Sequence, residues 1–138
     1  MTRVVIDTNV FVSSFFGGKP EETIDLWKSG EIYLCISQEI LEEYIEVLMR
    51  LGLQDEREIG ELLDIFARNY YTVFTAATPE LAPVVEKDPD DDKFIACAVA
   101  LGAEYIISGD KALLEVGKYI NISILSPADF LKKIRNQG

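Results

Sequence analysis

Residues 94–101, FIACAVAL, carry apolar side chains around the whole circumference of any helix they form. A helix with no polar face has to be buried, and its alanines allow close packing against neighbours. Along the rest of the chain, short apolar runs alternate with helical stretches: RVVI at 3–6, EIYLCI at 31–36, YTVF at 71–74, EYII at 104–107 and ISIL at 122–125. That rhythm belongs to a parallel sheet with both faces covered, which is where an all-apolar helix finds its burial.

The stretches between the strands have legible ends. Pro20-Glu21-Glu22 reads as the first turn of a helix stopped by Gly30, and Ser37 caps a long helix that Gly52 ends. Residues 55–70 form an amphipathic helix despite Gly60, and 75–87, with Pro79 and Pro83, form a loop or short helix. Asp88-Pro89 opens the apolar helix, which closes at Gly102. Residues 110–116 make a short helix, and Ser126-Pro127-Ala128-Asp129 opens the last one in the manner of a capping box. No helix is assigned to the apolar segment 10–16, and no element to residues 117–121. A length of 138 residues fits one domain, 1–138.

The side-chain inventory excludes several chemistries. There is no histidine, hence no Ser-His-Asp triad, Cys-His dyad or HExxH zinc site. Cys35 and Cys97 form neither a disulfide framework nor a CxxC site. No apolar run reaches membrane-spanning length and the start lacks the long apolar stretch of a secretion signal, so a soluble, cytoplasmic protein is expected. Twenty-four acidic residues stand against 13 basic ones, a formal net charge of −11. Passive nucleic-acid binding by a basic surface is thereby disfavoured. Converging carboxylates remain able to hold a divalent cation, which supplies the positive charge a phosphate needs.

Four places carry such carboxylates, and each has a plainer reading. Asp7 follows the first strand, where a helix cap or turn residue is common. In the helix after Ser37, the apolar stripe is Ile40, Tyr44, Leu48 and Leu51; at about 100° per residue Glu43 lies at its edge, while Glu39, Glu42 and Glu46 fall further into solvent. Asp88, Asp90, Asp91 and Asp92 crowd one helix start, more acids than capping requires. An EF-hand is excluded there, because Lys93 stands where glycine is needed and Val99 where the bidentate glutamate belongs. Periodicity alone does not choose between Asp91 and Asp92 as the inward acid. Asp110 follows the fourth strand through Ser108-Gly109 and is also a good cap. Strand ends of an open parallel sheet share one rim, and sites form there.

At these residues the chain resembles the PIN-domain ribonucleases, in particular the branch of toxin components of toxin–antitoxin systems. The resemblance runs through VVIDTNVFVSSFF, SQEILEEYIEVL, DPDDDKFIACAVALGAEYIISGDKALLEV and ISILSPADFL. It implies an α/β fold, a three-layer α/β/α sandwich around a mainly parallel sheet. It also implies RNA hydrolysis with Mg²⁺ or Mn²⁺ held by Asp7, Glu43, Asp92 and Asp110, with Glu43 on a second ion or orienting water. Asp92 fits the motif through Ile95 and Ala96, three and four residues on. Asn9 and Ser108 would support the acids, and Asp91, like Asp90, lies outside the strict match. Lys93 and Lys111 are the candidate phosphate contacts. A homodimer and an antitoxin partner are further expectations of that branch. The competing classes are a receiver-like phospho-acceptor domain and a non-catalytic interaction module whose acids are only caps.

Overall fold

The computed structural model of the protein describes residues 2–53, 57–68 and 70–136. Its six strands are β1 (Thr2–Ile6), β2 (Ile32–Ser37), β3 (Thr72–Thr75), β4 (Tyr105–Ile107), β5 (Lys118–Tyr119) and β6 (Ile122–Leu125). They form one sheet in the order β3-β2-β1-β4-β6-β5. Every pairing is parallel except β5 with β6. The helices are α1 (Thr8–Ser13), α2 (Gly18–Lys28), α3 (Gln38–Arg50), α4 (Arg57–Ala67), α5 (Asp92–Leu101), α6 (Lys111–Val116) and α7 (Pro127–Asn136). The all-apolar helix is α5, and it packs across β1, β2, β3 and β4. On the other layer α1, α2 and α7 pack on one another, with α2 against β2 and α7 against β6. The architecture is the α/β/α sandwich expected. Among the described residues no helix is long and apolar enough to cross a membrane.

Three boundaries differ from the sequence reading. The segment after Asp7 is helical, α1 running into a 3₁₀ turn at Ser14–Phe16. Strand β5 has only two residues and reverses through Ile120, whose φ is 54°; a hairpin that short leaves no periodic trace. The third difference governs the site: Asp88-Pro89 opens a 3₁₀ turn, Pro89–Asp91, and α5 begins only at Asp92. Residues 75–87 contribute the end of β3 and then a loop, not a helix. The predicted start of the 55–70 helix falls partly on residues outside those described.

The core is built from strands buried on both faces and from the inward stripes of the helices, with Val4, Val5, Ile6, Ile32, Leu34, Ile106 and Ile107 all fully buried. Leu51, expected on the stripe of α3, is instead exposed, because the helix ends at Arg50 and Gly52 turns the chain away. Of the aromatic residues near the N-terminus, Phe11 and Trp27 are core and Phe16 is exposed. Gly30 has a φ of 81°, and a Cβ there would come within 2.7 Å of the Tyr71 ring, so both conformation and space demand glycine. Tyr71 in turn offers its carbonyl to the Trp27 indole N–H at 3.1 Å and to the Leu34 amide at 2.8 Å.

Tyr44 of α3 ties the helix layer to the end of β1. Its ring stacks on Phe11 with centroids 4.1 Å apart, and its hydroxyl donates to the Ile6 carbonyl. Tyr44→Phe keeps the stack and leaves that buried carbonyl short of a donor. A loss of about 1–3 kcal/mol is expected in urea unfolding, with the fold retained.

Candidate metal centre

Strand order reverses between β1 and β4: from β1 the chain proceeds to β2 and β3 on one side, while β4 and β6 lie on the other. Such a reversal opens a crevice beyond the carboxyl ends of the two strands, and ligands of open α/β sheets sit there. Ile6 and Ile107 are register partners at those ends. Asp7 follows the first immediately, and Asp110 follows the second after two residues. The parallel pairing therefore brings together two acids about a hundred residues apart, as the sequence reading expected of one rim.

Asp7 is buried, 3% exposed. Its Oδ1 accepts from the main-chain N–H of Asn9 at 3.2 Å and its Oδ2 from the Ser108 hydroxyl at 2.5 Å. Burial pushes its pKa up; those two hydrogen bonds oppose the shift, and the charges of Asp110 and Glu43 add to it. Ser108, itself fully buried, also accepts from the Asp110 amide at 2.9 Å. One hydroxyl thus bridges the two strand ends. Asn9 meets Asp7 only through its backbone N–H, the capping bond of α1, and not through the side chain on which its expected role rests. Asp110 caps α6, accepting weakly from the Leu113 amide at 3.4 Å.

The third acid of this group is Asp91. Carboxylate oxygens of Asp88, Asp91 and Asp110 all lie within 4.8 Å of one another. Asp91 Oδ2 is buried and, among the described residues, has no hydrogen-bond partner. Its pKa is pushed up to about 8, first by burial, then by contact with Asp110 and more weakly by the charges of Asp88 and Asp7. Unlike Asp7 and Asp110, Asp91 makes no capping hydrogen bond with its side chain. Capping therefore does not account for its position.

Asp92 is placed elsewhere. Its carboxylate accepts from the Val85 amide at 2.8 Å and from the Val84 amide at 3.3 Å, tying the preceding loop to the start of α5. The reason is the 3₁₀ turn. At three residues per turn, positions three apart eclipse, so Asp88 and Asp91 share a side and Asp92 is rotated off it by about 120°. The turn is closed by the Asp91 amide on the Asp88 carbonyl at 3.0 Å. Asp88, read from sequence as a cap, makes no side-chain capping bond and faces the acid group. Pro89 after Asp88, with another acid three residues on, was the available signal.

Glu43 reaches the crevice from α3, half-buried as the angular argument anticipated. One of its oxygens accepts from the buried Thr8 hydroxyl and the other from Lys93 Nζ. Thr8, unremarked in the sequence reading, sits between the two conspicuous polar residues Asp7 and Asn9. The Lys93 side chain is only 8% exposed and also pairs with Asp90 at 3.2 Å. Burial pulls its pKa down, but Glu43 and Asp90 outweigh this and hold the ammonium above its usual range. An ammonium so enclosed is poorly placed for the phosphate contact expected of it. Lys111 is exposed, and with Lys19 it lines an open cleft of about 580 Å³ that runs from Asp110 to Ser126. Cys35 and Cys97 are unpaired and buried, which pushes their thiols up to about 11 and about 12. They are inert at neutral pH.

The donor set suits a hard divalent cation: clustered carboxylate oxygens, one of them unsatisfied, at the open end of a sheet. Against known proteins, the chain matches the family model of the PIN domain over residues 3–112, a segment that contains Asp7, Glu43, Asp88, Asp91, Asp92 and Asp110. No curated protein matches it.

Proposed function

The chain belongs to the PIN-domain family, whose fold is of nuclease type, and from that premise we propose that it is an endoribonuclease dependent on Mg²⁺ or Mn²⁺. The observation that carries the reading is the convergence of Asp88, Asp91 and Asp110 with a buried, partnerless oxygen on Asp91. In the proposal Asp88, Asp91 and Asp110 would hold the ion, with Asp7 beside Asp110 as a further ligand, and Asp92 is a positioning residue. When bound, the ion neutralises charge on the scissile phosphate and activates water toward it.

The protein's own groups do the rest. Ser108 ties the Asp7 carboxylate to the main chain at Asp110, so the two strand ends are held in fixed relation. Glu43 is held by Thr8 and Lys93, yet a carboxylate has about four acceptor positions, which leaves capacity to orient a water. Lys19 and Lys111, on the walls of the cleft beside Asp110, are suited to steady the RNA backbone. The net charge of −11 makes those local cations more important, since the surface as a whole repels RNA. The receiver-like reading is disfavoured because Asp7 has no acidic neighbour directly after β1. The idle-module reading explains Asp7 and Asp110 as caps but has no use for Asp91. A toxin role, an antitoxin partner and a homodimer rest on the sequence resemblance alone.

The test is cleavage of end-labelled RNA with Mg²⁺ or Mn²⁺, beside an EDTA control and the Asp7→Asn variant. Cleavage that requires metal and disappears in the variant supports the proposal. Cleavage that survives either EDTA or the substitution sinks it.

A further inference from the structure

We propose that Lys93 is a resident cation occupying the Glu43 side of the centre, so that the carboxylates take up one divalent ion and Glu43 stays outside its ligand set. The proposal rests on the metal-centre reading above and assigns a stoichiometry and a positioning residue to it. The three acids whose oxygens converge are Asp88, Asp91 and Asp110. Both Glu43 oxygens are already engaged, by the Thr8 hydroxyl and by Lys93 Nζ. The Lys93 side chain is 8% exposed and sits between Glu43 and Asp90, an anchored group and not a roaming surface charge.

Placing an ammonium in that position has an electrostatic consequence. A second divalent ion on Glu43 would have to displace Lys93 or stand beside it, and like charges at ion-pair distance repel strongly where burial weakens screening. Displacement would leave a largely buried lysine with only the exposed Asp90 as its partner, which is costly. The four-acid arrangement therefore divides into an Asp side that takes an ion and a Glu43 side already neutralised by the chain. Lys93 works through Glu43, holding that carboxylate in place.

The test counts Mn²⁺ ions by isothermal titration of the metal-free full chain, without RNA, so that it reads binding and not cleavage. Wild type is expected to bind one ion, Lys93→Met two, and the double variant Lys93→Met/Glu43→Gln one again. A merely structural lysine would not change the stoichiometry in that pattern. Glu43→Gln alone should lower Mn²⁺ affinity by no more than about tenfold, the lower range for a group outside the ligand set. Two ions on the wild type, or one on a folded Lys93→Met chain, would overturn the proposal. Should Lys93→Met fail to fold, Glu43→Gln decides alone: a loss beyond about a hundredfold would make Glu43 a ligand. No Mn²⁺ on the wild type would remove the metal centre itself. One ion without any RNA cleavage would keep this inference and refute only the nuclease activity.

Discussion

Asp91→Asn is expected to lower metal-dependent RNA cleavage by on the order of 10²–10³-fold, the scale seen when a group that stabilises transition-state charge is removed. Asp92→Asn, one residue along, should leave cleavage within about tenfold of wild type, as for a group that supports a site from outside it. The contrast follows from the turn at Pro89–Asp91. Asp91 carries the buried oxygen without a partner, whereas the Asp92 carboxylate is spent on the amides of Val84 and Val85. Asn at 92 can still accept from one of those amides, so the expected cost is about 1 kcal/mol in stability. Initial rates and Mn²⁺ titrations on both variants check this. Equal losses in the two, or the larger loss at Asp92, would show that the ion is held through Asp92.

Without metal, the protein should lose stability as pH rises from about 4 to about 8, opposite to what paired carboxylates usually produce. The folded state holds the Asp91 proton up to about pH 8, against a reference value of 3.8. Between those values the folded chain binds more protons than the unfolded one, and stability therefore falls with pH. The contribution is complete below about 4 and gone above about 8. Asp7, raised mainly by burial, acts with the same sign. Bound Mg²⁺ or Mn²⁺ needs the ionised carboxylates, so its stabilisation grows over the same range and reaches about 2.7 kcal/mol at a hundred times Kd. Thermal midpoints at pH 5 and pH 8, with EDTA and with Mn²⁺, measure both effects. The metal-free decline should shrink in Asp91→Asn, which has no proton to lose there. A wild-type midpoint that rises with pH in EDTA would contradict the assignment.

Asp91 and Asp92 also mark the limit of what the sequence discloses. Treated as one helix from Asp88, the acidic run offered no basis for choosing between them, and motif spacing favoured Asp92. The first turn is 3₁₀, and one residue of difference in winding moves a side chain by about a third of a circle. Lys93 shows the same limit. Next to Asp92 in sequence it reads as a phosphate contact, yet folding encloses it between Glu43 and Asp90. Glu43 itself was legible, because α3 has a long apolar stripe with buried Ile40, Tyr44 and Leu48 against which an angle can be measured.

What the sequence by itself determined is everything that depends on local period and on chain order along a regular element. The five longer strands, the helices α2, α3, α5, α6 and α7, the burial of α5, and the addresses of Asp7 and Asp110 at strand ends all follow from apolar runs, helical period and turn chemistry. The tertiary structure alone decided which acids meet. That depended on β1 pairing with β4 across about a hundred residues, on the loop at 84–85 drawing Asp92 to its amides, and on α3 delivering Glu43 to Thr8 and Lys93. Local spacing sets the direction of a side chain only relative to its own backbone. The partner it reaches is set by packing between elements distant in sequence, where burial and charge, not periodicity, choose the arrangement.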